Sequence, residues 1–317
     1  MAVSRVDRRK HASRLGLRTY DFTMSWTDDI LDEVATANAW SYSTGSEPAT
    51  EPTAWAALAL RAYGRDDAAD RATQWLADHQ AKDGTLGINL SQPDPHWPTS
   101  LAVLAWSAAE KDDRTPYAEN IARALKWLDS VEGVPSPLSG DLGHDSTLIG
   151  WPWVESTHSW IEPTAFSVLA LKAAGKAEHP RTREAVRLLI DRLLPEGGAN
   201  YGNTYVLGQL LRPHLDPTGL VLMALAGEKD PSGRLEKTLA FAANSIGPQT
   251  TAMSLAMGVM GLAAHGREVQ QMDKLLEAAA GTTRLLMGYQ MRWTLLALAA
   301  LGENCPLITL PRQGAPS

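Results

Sequence analysis

Three acidic residues stand in one recurring context, directly before a proline and followed by an apolar run: Glu51 in "EPTAWAALAL", Glu162 in "EPTAFSVLAL" and Asp216 in "DPTGLVLMAL". Carboxyl groups that face one another across a cavity can share general acid and base work. If the proline opens a helix, each acid instead occupies the N-cap, where a side-chain oxygen accepts a backbone N–H. Asp216 suits that structural role, whereas the longer Glu51 and Glu162 reach beyond a helix end. Environment separates the two roles, because a carboxylate accepting backbone N–H groups is held low and one set in an apolar wall is pushed up. His158 is the fourth candidate for proton transfer. It lies in the longest interruption of the pattern, "GHDSTLIGWPWVESTHSWIEPT" over 143–164, with His144, Asp145 and Glu155. Trp40, Trp97, Trp153, Trp160, Tyr201 and Tyr205 precede the same apolar runs and are the candidate substrate contacts. Aromatic faces stabilise a cation through their quadrupoles and equally line an apolar or sugar-binding cleft.

Four clear copies of the proline-threonine run, at 51–60, 97–106, 162–171 and 216–225, are joined by two degraded ones at 247–262 and 290–301. Seven of ten positions are identical between the first and third, so the chain is an internal repeat. Each run is apolar nearly all round and belongs in an interior. Before each lies an amphipathic segment with one wet face, such as Ile30, Leu31, Val34 and Ala37, or Ala68, Ala72, Trp75 and Leu76. Six such alternations predict an all-α (α/α)₆ toroid over 25–303, with inner helices from near 52, 98, 163, 217, 249 and 290. An open solenoid needs polar capping repeats, and the last inner helix is as apolar as the middle ones. Residues 1–24 read as a basic arm and 304–317 as a C-terminal tail. Met24 opens the periodic pattern and is an alternative start.

The stretch "ATQWLADHQAKDGTLGINLSQPDPHWPTSLAVLAW" (72–106) resembles the repeat of squalene and terpenoid cyclases and protein prenyltransferases. Gln74, Trp75, Leu76, Gln80, Asp83, Gly84, Gly87 and Thr99 match its order, and 125–134 and 160–175 resemble two halves of another copy. The resemblance implies the toroid and an isoprenoid bound or transformed in a central aromatic cavity. It also implies motifs that this sequence lacks. There is no Asp-x-Asp-Asp string for protonating an alkene, and the lone Cys305, with no histidine after it, offers no prenyltransferase-type zinc site. No metal and no other cofactor is expected.

Composition narrows the partners. The net charge of −7 includes six basic residues within 1–18, leaving an acidic body that is a poor match for nucleic acid. No apolar run reaches the ~18 residues of a membrane span, although peripheral membrane contact and a protein partner stay open. A single cysteine makes a reducing cytoplasm the simplest setting. The expected ligand is an apolar isoprenoid. The alternatives are a polysaccharide lyase or glycoside hydrolase on a similar toroid, with two carboxylates flanking the scissile bond, and a non-catalytic binding scaffold. A deep apolar cavity favours isoprenoid, an open polar one polysaccharide.

Overall fold

In the computed structural model, which describes residues 25–109, 116–138, 142–206, 208–286 and 289–313, the repeats form two concentric rings. The N-terminal arm expected over 1–24 lies outside these residues. The inner helices are α2 (Thr50–Ala62), α4 (Thr99–Ser107), α6 (Ile161–Ala173), α8 (Leu215–Ala224), α10 (Ala252–Ala263) and α12 (Tyr289–Ala300). Alternating with them are the outer helices α1 (Trp26–Ala35), α3 (Asp66–Asp78), α5 (Ala118–Ser130), α7 (Pro180–Asp191), α9 (Arg234–Ser245) and α11 (Met272–Thr283). Each inner helix packs on the next, and α12 packs on α2, so the ring closes. Across the seam, Tyr289 and Arg284 reach Glu33 at 2.8 and 2.7 Å, and the Tyr63 hydroxyl donates to the Ala297 carbonyl at 2.9 Å. Among the described residues, strand pairing is confined to a hairpin of β1 (Tyr205–Val206) and β2 (Gln209–Leu210) and three isolated bridges. No described helix is long and apolar enough to cross a membrane.

The threonine of the repeat is a strap. Thr99, Thr164 and Thr218 are fully buried, and each hydroxyl accepts the N–H of a residue in the loop before its helix: Leu86, Trp151 and Ala199, all at 2.9 Å. The strap satisfies backbone groups that burial otherwise strands and fixes the loop to the helix start. Tryptophan does the matching job at the outer ring. The buried indoles of Trp40, Trp151 and Trp293 donate to carbonyls of Val34, Leu128 and Ala280, near the C-terminal ends of α1, α5 and α11, where helical acceptors lack partners. Gln80 is likewise mortar: its amide donates to the Gly84 and Asn120 carbonyls and accepts from Asn120 and Arg123.

Two features shape the ring. In the fourth repeat a glycine replaces the alanine of "EPTA", because a Cβ on Gly219 would stand 2.1 Å from the Met257 carbonyl oxygen, so α8 and α10 meet backbone to backbone. At the C-terminal ends of the inner helices, the segment read as a tail carries α13 (Pro306–Gln313), which packs on α6 and α4. Cys305, Leu307 and Ile308 are buried, and Arg312 donates to the Ala264 carbonyl at 3.0 Å. The helix covers that end of the ring.

A candidate acid–base active site

Because all inner helices run in one direction, their first turns gather at one end of the ring. The three helices that carry the acids start two residues earlier than the prolines suggest. Ala49, Trp160 and His214 are the N-caps, and the first intrahelical bonds run from Thr53, Thr164 and Thr218 back to them at 3.2, 3.3 and 3.2 Å. Pro52, Pro163 and Pro217 are therefore third helical residues, still in the turn where a missing N–H costs nothing. Glu51, Glu162 and Asp216 are second residues, not caps, and no side-chain capping bond is made at any of the three helix starts. This corrects the N-cap expectation and frees the three carboxylates to face inward.

They face one cavity of about 300 Å³. Around its mouth are Tyr42, Glu51, Trp97, Trp153, Glu162 and Asp216 with the first-turn residues Met253, Met291 and Arg292, and a turn deeper lie Phe166, Leu220 and Met257. Glu51 is fixed by the Tyr42 hydroxyl at 2.7 Å and the Trp55 indole N–H at 3.2 Å. Burial raises its pKa against both of those bonds. Glu162 has no such anchor. Burial first, then the charges of Asp216 and Glu51, push its pKa up to about 7. A helix N-terminus favours the carboxylate, so desolvation and like charge outweigh the dipole here. On the ring, Glu162 is one helix from Asp216, and Glu51 is opposite Asp216. Tyr201 stands at the rim beside these acids, and burial and the charges of Asp216 and Glu162 raise its pKa. Its ring lies 5.1 Å from that of His214.

An aromatic chain forms one wall. Trp153 meets Trp97 edge-on at 4.8 Å, Trp97 stacks on Phe166 at 6.0 Å, and Phe166 meets Trp55 at 5.9 Å. Of the other expected contacts, Trp40 is 1% exposed and serves the core, so it touches no ligand. Trp160 caps α6 and packs its ring on His158 at 4.6 Å. His158 does not join the three acids: the 143–164 segment carries it to a separate cavity with His144 and Arg192. Tyr205 is held in the β1–β2 hairpin, against Gly143, outside the acid cavity. These corrections share a cause. Repeat spacing places a residue at an end of the ring, whereas the path of a long loop decides which side of the wall it reaches. Tyr42 lies at the end of the ring where the repeat places it, and its hydroxyl holds Glu51; the residues missed from sequence are Met253, Met257 and Met291, which read as ordinary core. Among the described residues, no group of three or more His, Cys, Asp or Glu side chains is placed to hold a metal ion.

No protein-family model matches the chain, and no curated protein is found to match it. Solved structures do share its ring. A reducing-end-xylose releasing exo-oligoxylanase aligns with TM-score 0.53 at 13% identity, over 89% of this chain and 94% of that one. Rex8A from Paenibacillus barcinonensis, complexed with xylose, aligns with TM-score 0.53 at 14% identity, over 93% and 95%. A type II terpene cyclase from Scytonema aligns with TM-score 0.42 at 16% identity, over 70% and 71%. The likeness to the exo-oligoxylanase and to Rex8A supports the (α/α)₆ toroid and, at these identities, leaves the chemistry to the site itself.

Proposed function

We propose that the mouth of the ring is a general acid–base site that cleaves a glycosidic-type C–O bond in a short saccharide or glycoside, with Glu162 as the acid. The observation that carries this reading is the Glu162 carboxyl, pushed up to about 7 beside Asp216 in an aromatic-walled cavity. An acid of that strength is about half protonated at neutral pH, far more than an ordinary carboxyl, and is suited to protonating a departing oxygen. Protonating an alkene needs a donor made stronger, not weaker. Glu162 gives its proton to the leaving oxygen as the C–O bond breaks. Water adds to the carbon, and Asp216 takes the proton of that water. Glu51, locked by Tyr42 and Trp55, positions the substrate, and Trp97 and Trp153 offer faces to a sugar ring or to developing positive charge. About 300 Å³ is at the small end for ligand pockets and suits about one or two sugar rings. The release of xylose from reducing ends by the exo-oligoxylanase neighbours supports the same reading.

One observation favours an isoprenoid instead. Much of the lining, Phe166, Leu220, Met253, Met257 and Met291, is apolar. Three carboxylates at the mouth oppose a diphosphate, so that ligand would be a neutral isoprenoid. The test is a turnover panel of aryl glycosides, short xylo- and gluco-oligosaccharides and polyprenyl alcohols and ethers. Release of sugar, lost on Glu162→Gln, is the expected result. Turnover of the polyprenyl compounds alone transfers the site to the isoprenoid reading, and turnover of none leaves a binding scaffold.

A further inference from the structure

The long segment between α5 and α6 folds down over the flank of the ring. Its backbone is well paired: Gly133 donates to Gly150 at 3.0 Å, Val134 to Thr157 at 2.8 Å, Ser136 to Ser146 at 3.0 Å and Trp160 to Trp151 at 3.0 Å. Glu155 and His96 meet at 3.1 Å, tying the segment to the second repeat. Beneath it is a second cavity of about 550 Å³, lined by Ser136, His144, Ser146, His158, Arg192 and Asn203 among others.

Arg192 is the exception to this satisfied network. It is the C-cap residue of α7 and is 5% exposed. One terminal nitrogen donates to the Gly202 carbonyl at 2.6 Å, while Nε is buried with no hydrogen-bond partner. The nearest carboxylate oxygen, Asp191 Oδ2, lies 3.7 Å from that Nε and accepts the Asp145 backbone N–H at 2.8 Å. Burying a guanidinium with an orphaned donor is costly, and burial lowers its pKa to about 10. The histidines beside it share that setting. Burial first, then the Arg192 charge, lower the pKa of both His144 and His158, the nearby carboxylates Asp145 and Asp191 only partly offsetting this at His144. Both imidazoles are then neutral at neutral pH, each with one N–H to donate. A roomy cavity that converges a buried, under-bonded fork and two imidazoles has the donor set that suits an anion.

We propose that the cavity under the 143–164 segment binds the carboxylate or phosphate group of a small ligand, held by Arg192 with His144 and His158 donating beside it. This is a site distinct from the acid cavity and does not rest on the reading of that cavity. It accounts for the richness of polar residues in the segment, which the acid cavity leaves unused. It also sets the ligand close to the mouth, because His158 packs on Trp160, the cap of the helix that carries Glu162.

The test follows the imidazole carbon-bound proton signals of His144 and His158 by NMR while inorganic phosphate or glucuronate is added to the full-length protein. Sodium chloride of equal ionic strength and glucose are the controls. The expected result is a saturable shift of both signals with one or both anions and not with the controls, accompanied by a rise in the imidazole pKa values. Saturation by phosphate alone assigns a phosphate ligand, and saturation by glucuronate assigns a carboxylate. Arg192→Met should weaken binding at least about tenfold, the loss of one charge-assisted hydrogen bond. Arg192→Lys should weaken it less, keeping charge but not the fork. If the Arg192 variants do not fold, His158→Gln with wild-type circular dichroism should weaken binding in the same titration. No saturable shift with either anion, or undiminished binding in folded Arg192→Met or His158→Gln, overturns the proposal.

Discussion

The two ends of the ring treat charge in opposite ways. At the base, the buried carboxylate of Glu228 is matched: Lys172 reaches it and the Ala224 carbonyl, both at 2.8 Å, and Arg183 grips both its oxygens at 3.0 and 2.9 Å. Helix α13 then covers that end. At the mouth, three acids of like sign converge on one apolar-floored cavity, and Glu162 is pushed up to about 7. The same helices carry both arrangements; α6 bears Glu162 at its start and Lys172 near its end. Paired charge at the base fixes structure, and burial with like charge at the mouth holds a proton on Glu162.

That contrast predicts which substitutions cost activity and which cost stability. The largest effect belongs to the mouth. Glu162→Gln should lower turnover of the best substrate in the panel by about 10²–10⁴-fold, the usual worth of a general acid, without loss of melting temperature. At the base the pattern inverts: Lys172→Met leaves Glu228 short of a partner and should destabilise by about 3 kcal/mol in chemical denaturation, with activity kept in the folded fraction. A Gly219→Ala variant sharpens the account of the ring, since its Cβ meets the Met257 carbonyl at 2.1 Å; a loss of roughly 1–3 kcal/mol is expected. Smaller still is Thr164→Val, which removes the strap to Trp151 and should cost about 1–2 kcal/mol. A stable Lys172→Met or an inactive, unfolded Glu162→Gln breaks the division between the two ends.

Sequence made the ring legible because the ring is periodic. Inner helices expected near 52, 98, 163, 217, 249 and 290 begin at 50, 99, 161, 215, 252 and 289. Convergence of Glu51, Glu162 and Asp216 followed from the same periodicity, since parallel helices must bring equivalent positions to one end. What periodicity does not encode was harder to read. Trp40 and Trp97 both precede an inner helix, yet one indole serves the Val34 carbonyl and the other walls the cavity. Its place in the loop before α6 predicts His158 at the end that gathers the acids, but the loop carries it to the cavity with Arg192. Helix α13 carries no copy of the repeat, and a short segment with Pro311 inside it gives little local signal for helix.

The central claim, that Glu162 is a proton-holding acid and not a helix cap, is tested most directly by the melting temperature of Glu162→Gln and the parent protein across pH. A carboxyl raised from 4.5 in the unfolded chain to about 7 in the fold contributes its stability below about 4.5 and loses it as pH rises through about 7. The neutral amide escapes that loss. The account predicts that Glu162→Gln melts above the parent at pH values above about 7, with the gap closing as pH falls toward about 4.5. A variant that melts below the parent throughout, most of all at high pH where a capping carboxylate is fully charged, would contradict it.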